Sequence, residues 1–229
     1  MSIPMLVQDE DAQHFAQQAS LEVGRKVMLG DQEKLDKLAW NALTSAHDAM
    51  ADGVQKIGRL VSDPTRNEVL KHEAAQQVAE RTIATLDQTQ KVLQARANAL
   101  HTEAHEIVEQ RFAIDPVRAS IQSEIRGWIR EQTKDEDGLV KIRQAMRSDR
   151  EVASVIYHSP HFLMNLASDV RNNMRIDAIE AHVPDAYQKL EASIALSDTA
   201  AKYPRAIAGV RRSFFNAGLA AKASQRVQI

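Results

Sequence analysis

Two histidines four residues apart come closest to a catalytic or metal-binding pattern in this sequence. His101 and His105 have Glu103 and Glu106 beside them, and imidazoles at this spacing share a helix face, where they could bind a metal ion. The zinc-protease HExxH motif is not present, because no glutamate directly follows His101. A metal site also needs further ligands and supporting contacts. We predict no metal and no cofactor, with a metal-dependent enzyme at His101 and His105 as the less favoured alternative.

Other catalytic patterns are missing from the sequence. Glu103-Ala-His105 and Glu180-Ala-His182 are each one residue too short for the Glu-x-x-His pairs of di-iron helical proteins. The eight glycines form neither a phosphate-binding loop nor a nucleophile elbow. Cysteine is absent, which excludes thiol catalysis and disulfides. The sequence therefore predicts a non-enzymatic protein with no evident small-molecule substrate, although a catalytic pair of carboxylates stays open.

The segment from Tyr157 to Leu163 reads Tyr-His-Ser-Pro-His-Phe-Leu. In one interpretation, its two histidines bind an anion at a helix N-terminus. In the other, which we favour, Ser159 is an N-cap, Pro160 is the first helical residue, and Phe162 and Leu163 fill the core.

The C-terminal end is basic. No acidic residue follows Asp198, whereas six basic residues do, so this end has a formal charge of +6 in a chain of net charge −2. From Pro204 the pattern predicts an amphipathic helix that docks onto a partner through Ile207, Val210, Arg211, Arg212, Phe214 and Phe215. Packing within the chain is one alternative, and binding of nucleic acid or a membrane surface through residues 203–229 is another.

The composition favours helices and a soluble protein. Aromatic residues make up only 4% of the chain, and glycine and proline are sparse. No apolar run approaches the roughly 20 residues that a membrane span needs. Residues 1–11 contain neither a basic region nor an apolar core, so we expect no secretory signal peptide.

The longest periodic stretch, from Asp63 to Phe112, contains no glycine and no proline other than Pro64. Asp63-Pro64 matches a helix start, with a capping carboxylate followed by proline at the first helical position. A heptad pattern then predicts an apolar seam for oligomerisation, formed by Ile83, Leu86, Leu93, Ala97, Leu100, Ala104 and Ile107. The pattern leaves open whether the seam pairs within the chain or between chains.

The flanking segments also have helical spacing and helix-start residues. Helices over 9–29 and 31–61 precede the turn at Ser62-Asp63-Pro64, which predicts that the second helix and the long helix are antiparallel. Asp115-Pro116 begins a helix with an apolar face of Val117, Ile121, Ile125, Trp128 and Ile129. Shorter helices over 139–147, 149–158, 160–182 and 185–202 follow, and a last helix starts at Tyr203.

We therefore predict an all-α fold in three regions. Residues 1–113 form a long antiparallel helical hairpin or coiled coil, and residues 114–202 form a compact helical domain. Residues 203–229 form the basic amphipathic helix.

The segment Ser148–Leu163 resembles part of the poorly characterised helical proteins encoded by tailed phages. In those proteins an Asp-x-Glu-Val stretch leads through an aliphatic helix to a small-Pro-x-Phe-Leu helix start, and here Tyr157 and His158 stand where small residues are usual. The resemblance implies a virion or assembly protein and transfers no functional residue. We expect a structural protein that forms homo-oligomers or binds other structural proteins, in the virion if phage-encoded and otherwise in the cytoplasm. An adaptor for nucleic acid or protein, acting through the C-terminal helix, is the alternative.

Overall fold

The computed structural model describes residues 4–31, 35 and 37–223. Every regular element among these residues is helical and none is a strand, which confirms the predicted all-α fold. The predicted start of the second helix, near Asp31, adjoins residues 32–34 and 36, which lie outside the described residues. The last six residues of the C-terminal region, 224–229, also lie outside them. The α-helices are α1 (Glu10–Ser20), α2 (Glu22–Leu29), α3 (Lys37–Val61), α4 (Glu68–Arg111), α5 (Ala119–Gln132), α6 (Gly138–Ser148), α7 (Arg150–His158), α8 (Ser168–His182), α9 (Pro184–Ala200), α10 (Tyr203–Phe214) and α11 (Ala217–Ala223).

The chain folds as two compact units. Unit 1 contains the described residues up to Asn98 together with those from Ala192 onwards, and unit 2 contains Ala99–Glu191. The long helix α4 contributes to both units, as does α9. These units differ from the three predicted regions, because the division falls within α4 and α9 and because α10 and α11 belong to unit 1 rather than standing apart.

In unit 1, α3 and α4 form the predicted antiparallel hairpin. The hydroxyl of Thr89 donates a hydrogen bond to the carbonyl of Ala42 at 3.0 Å. Further along α3, a Cβ added at Gly53 would lie 2.8 Å from Oγ1 of Thr82. As the residue numbers increase along α3, those of the contacting residues on α4 decrease, as an antiparallel pair requires. Small residues at such contacts let the two backbones approach closely.

The predicted start of α4 at Asp63-Pro64 is wrong by about one turn. The carboxylate of Asp63 accepts hydrogen bonds from the backbone N–H of Thr65 at 2.8 Å and from its hydroxyl. This interaction closes a local turn instead of capping a helix. The helix begins at Glu68, and Asn67 is its cap, because its side-chain oxygen accepts a hydrogen bond from the N–H of Leu70.

Two other predicted helices are interrupted. The first is split at Leu21, whose extended backbone (φ −89°, ψ 137°) separates α1 from α2. The last is split at Phe215, which is also extended (φ −150°, ψ 157°), and Asn216 then caps α11. After each break, the apolar side chains point in a different direction from the one that a continuous helix would give them.

The core of unit 2 surrounds the C-terminal end of α4. The carbonyl of Phe112 accepts hydrogen bonds from the hydroxyl of Ser154 at 2.8 Å and from Nε2 of His158 at 2.9 Å, so α7 caps this helix end. The predicted start of α7 is confirmed, since Asp149 accepts from the N–H groups of Glu151 and Val152. The large buried side chains of this core include Phe112, Ile129, Ile142, Met146, Tyr157, Met164 and Met174.

The predicted helix start at Ser159-Pro160 is wrong. Ser159 lies at the C-terminal end of α7 and is buried, and Pro160 precedes a short 3₁₀ helix, His161–Met164. Asn165 ends that helix in a left-handed conformation (φ 55°), which asparagine tolerates better than most residues.

The same turn reverses the predicted burial of the two neighbouring apolar residues. Phe162 is 67% exposed and Leu163 is 41% exposed, whereas Met164 and Leu166 fill the core in their place. A 3₁₀ helix advances three residues per turn, so its buried positions differ from those of the α-helix that the sequence suggested.

Candidate functional site

An exposed apolar surface on unit 2 is the most distinctive feature of the described residues. Val117 is 89% exposed, Ile121 45% and Trp128 36%, and Ile125 beside them is half-buried. Spacings of four, four and three residues place all four side chains along one side of α5 and the short 3₁₀ helix before it. We call these four residues the α5 surface.

A groove of about 380 Å³ runs beside the α5 surface. Its apolar wall is completed by Ala145 and Val152, and its polar lining includes the carboxylates of Glu124 and Asp149. Apolar walls with a polar edge are the usual composition of a protein interface.

The position of α5 explains why its apolar residues face solvent. Ile129, fully buried, lies about 80° around the helix from Ile121 and points into the core of unit 2. Beyond it, Arg130 donates a hydrogen bond to the carbonyl of Leu163 at 2.7 Å, and Asn165 donates to the hydroxyl of Thr133 at 3.1 Å. These two exposed hydrogen bonds link α5 to the segment around the second 3₁₀ helix, and the buried Ile129 sets which side of α5 faces the core. The sequence correctly predicts that apolar residues lie along one side of this helix. Of the five residues in that predicted face, however, only Ile129 is buried.

Unit 1 carries a second exposed apolar surface, which the sequence reasoning did not single out. Leu21, Val23 and Val27 are exposed at the start of α2 and along it, and we call these three residues the α2 surface. A Cβ at Gly24 would lie 2.0 Å from the carbonyl oxygen of Gln18, so glycine lets α2 turn back against the end of α1. The only sequence signal was the four-residue spacing of Val23 and Val27.

The predicted oligomerisation seam lies inside the folded chain. The buried members are Ile83, Leu86, Leu93, Ala97, Leu100 and Ala104, and Ile107 is partly buried. In unit 1 the seam faces neighbours such as α9, where Ser193 donates a hydrogen bond to the carbonyl of Ala97 at 2.9 Å. Pairing of this seam between chains stays a prediction, and it would require the monomer to open.

The two histidines singled out by their spacing lie next to each other on α4. The ring centroids of His101 and His105 are 4.8 Å apart, and both side chains are exposed. Glu103, between them, instead forms an ion pair with Lys189. Among the described residues, no group of three or more His, Cys, Asp or Glu side chains is placed to hold a metal ion.

The predicted docking residues of the C-terminal helix divide into two groups. Ile207, Val210 and Phe214 are buried in unit 1, and Phe215 is half-buried. Arg211 and Arg212 are exposed, and Arg212 lies 3.7 Å from a carboxylate oxygen of Asp11. The apolar side of α10 therefore packs within the chain, which was the alternative to docking, and the two guanidinium groups remain accessible. Gly209 permits this packing, because a Cβ there would lie 2.2 Å from the ring of Phe15.

Two buried histidines of unit 1 form hydrogen bonds with backbone groups. Nε2 of His47 donates to the carbonyl of Gly30 at 3.0 Å, and Nδ1 of His72 accepts from the N–H of Asn216 at 3.0 Å. Burial lowers the pKa of both imidazoles below the usual value, because it disfavours the charged form. An imidazolium could not accept the Asn216 hydrogen bond, so the His72 contact requires the neutral form.

These features define an all-α protein with two compact units and exposed apolar surfaces. No helix in the described part of the chain combines the length and apolar character needed to span a membrane. No protein family, no curated protein and no solved structure matches the chain.

Proposed function

We propose that this chain is a non-enzymatic structural protein that assembles with further copies of itself through the α5 surface. The observation that carries the proposal is the exposure of Val117, Ile121 and Trp128 along one side of a helix that buries Ile129 on another side. Contiguous exposed apolar side chains on a folded unit are typical of association sites.

The expected gain from covering this surface is substantial. Full burial of one large apolar side chain contributes about 1.5–3 kcal/mol. A stable interface covers about 800 Å² on each partner, more than four side chains provide, so the α5 surface would form the centre of a larger contact.

The charges of the two units favour contact between unlike units of neighbouring copies. Unit 1 has 17 basic and 15 acidic residues, for a net charge of +2, and unit 2 has 12 basic and 16 acidic residues, for a net charge of −4. Two copies of unit 2 would repel each other, whereas unit 2 and unit 1 attract. We therefore assign the α2 surface of a second copy as the partner of the α5 surface. A head-to-tail contact of this kind generates rings or filaments.

The setting we propose is the virion or assembly pathway of a tailed phage, supported by the resemblance of Ser148–Leu163 alone. Mass spectrometry of gradient-purified particles, from a host carrying the gene, tests it. Detection at a fixed stoichiometry would support a virion component, and absence from the particles would remove that setting without affecting self-assembly.

Light scattering on a sizing column tests self-assembly. We expect the wild-type protein to form a multimer of the 25.5 kDa chain. Ile121→Asp should shift it to monomer, because a carboxylate at the centre of an apolar contact loses its hydration. The matched control is Ile176→Asp on α8, which changes a similarly exposed isoleucine outside both surfaces. A monomeric wild type, or equal effects of the two substitutions, would refute the proposal.

A further inference from the structure

A small polar cavity of unit 2 gathers three arginines from separate parts of the chain. Arg111 lies at the end of α4, Arg118 precedes α5, and Arg150 begins α7, and all three line one concavity of about 170 Å³. The carboxylates in the lining are those of Asp115 and Glu151, so the cavity has a net charge of +1.

The two carboxylates are already engaged. Glu151 pairs with the guanidinium of Arg118, and Asp115 accepts a hydrogen bond from the N–H of Val117 at 2.9 Å. Arg111 and Arg150 have no ion-pair partner among the described residues. Arg111 and Arg150 thus line a shared cavity, and their guanidinium groups have unused hydrogen-bond donors.

We propose that this cavity binds a small phosphate-type anion, either inorganic phosphate or the phosphate group of a small metabolite. Planar guanidinium groups donate paired hydrogen bonds that match the oxygens of a phosphate. The volume corresponds to roughly six water molecules at about 30 Å³ each, which is room for one such group. The net charge of −4 on unit 2 opposes a polyanion, so the cavity is a site for a single phosphate rather than for a nucleic-acid backbone.

The test is a titration of inorganic phosphate into the full chain, followed by ³¹P NMR, with sodium chloride holding the ionic strength constant. Saturable binding is expected for the wild type. Arg111→Gln with Arg150→Gln should weaken it by at least about tenfold, the loss of about 1.4 kcal/mol or more of binding free energy. The control removes the same charge at two exposed arginines elsewhere, Arg147→Gln with Arg205→Gln, and should stay within about twofold of the wild type.

A third variant tests the role of the acidic neighbour. Glu151→Gln frees Arg118 and removes one negative charge, so it should tighten phosphate binding severalfold. Absence of saturable binding, equal weakening in the two double variants, or weaker binding in Glu151→Gln would overturn the proposal.

Two further arms separate this site from other sources of binding. A single-stranded oligonucleotide should compete with phosphate no better than inorganic phosphate itself, and competition at much lower concentrations would overturn the assignment to a small anion. The Ile121→Asp variant should bind phosphate like the wild type. The test of the phosphate site is therefore independent of the test of self-assembly.

Discussion

The helices α4 and α5 both carry an apolar stripe, but the stripe on α4 is mostly buried within the chain and the stripe on α5 is mostly exposed. On α4, Leu86 and Leu93 are fully buried, and the seam is covered by other helices of the same chain. On α5, Val117, Ile121 and Trp128 face solvent, Ile125 is half-buried, and the buried Ile129 lies to one side of them. An apolar stripe on a helix thus indicates a contact, but not whether the same chain supplies the other half.

The comparison also changes which helix is assigned to assembly. The heptads of α4 predicted the oligomerisation seam, yet the folded chain buries six of its seven residues and partly buries Ile107. The α5 surface has the exposure that an association site requires, even though its stripe is shorter. The following predictions test this division between a stripe that stabilises the fold and one that is available to a partner.

The largest expected difference is in the stability of the monomer. Leu93→Ala should lower the free energy of unfolding by about 2–5 kcal/mol, because it leaves a cavity in the covered seam. Ile121→Ala should cost less than about 1 kcal/mol, because its side chain is already half in solvent. Urea unfolding at a concentration that keeps the protein monomeric measures both values. Similar losses for the two variants would mean that the stripes do not differ as described.

A second prediction concerns acid sensitivity in unit 1. The pKa values of His47 and His72 are lowered in the folded state by burial, so the unfolded chain binds more protons below a pH of about 6.5. Their contribution to stability is complete above that pH and is lost as the pH falls, by at most about 1.4 kcal/mol per pH unit for each histidine.

Urea titrations at several pH values measure this slope. His72→Gln should flatten it, because one of the two linked protonations is removed. A stability that rises on acidification below pH 6.5, or a slope unchanged in His72→Gln, would show that His72 is not held neutral by the Asn216 contact.

The smallest expected effects come from two tyrosines, one in each unit. Tyr203 is fully buried, and its hydroxyl has no hydrogen-bond partner among the described residues. Tyr203→Phe should therefore stabilise unit 1 by about 1 kcal/mol. Tyr157→Phe should destabilise unit 2 by about 0.5–1.5 kcal/mol, because it removes the 3.2 Å hydrogen bond to Glu109. Thermal unfolding compares them, and changes of the same sign would contradict the different hydrogen bonding.

Local signals in the sequence predicted much of the fold. The side chains of Asp9 and Asp149 cap α1 and α7, and the short turn after Val61 predicted the hairpin of α3 and α4. Asp63-Pro64 was misinterpreted because a carboxylate before proline can close a turn as readily as it caps a helix. The choice depended on Asn67, a second capping residue four positions later.

The candidate sites were less predictable, because they depend on tertiary contacts. The side of α5 that faces the core follows from the burial of Ile129 among residues far away in the sequence, and Arg130 contacts the carbonyl of Leu163, 33 residues away. The arginine cavity joins Arg111, Arg118 and Arg150 from three elements, and nothing in their spacing indicates that they meet. Periodicity gives the faces of a helix, whereas the partner of each face follows from packing.

The most direct test of the central claim is a mixing experiment on two defective copies. Ile121→Asp damages the α5 surface, and Val23→Asp with Val27→Asp damages the α2 surface, all at exposed positions. Each variant alone should be monomeric by light scattering, since neither can complete the head-to-tail contact. An equimolar mixture should form a 1:1 complex and no larger species, because only one intact pair of surfaces remains. Multimers from the α2 variant alone, or no complex in the mixture, would contradict the account.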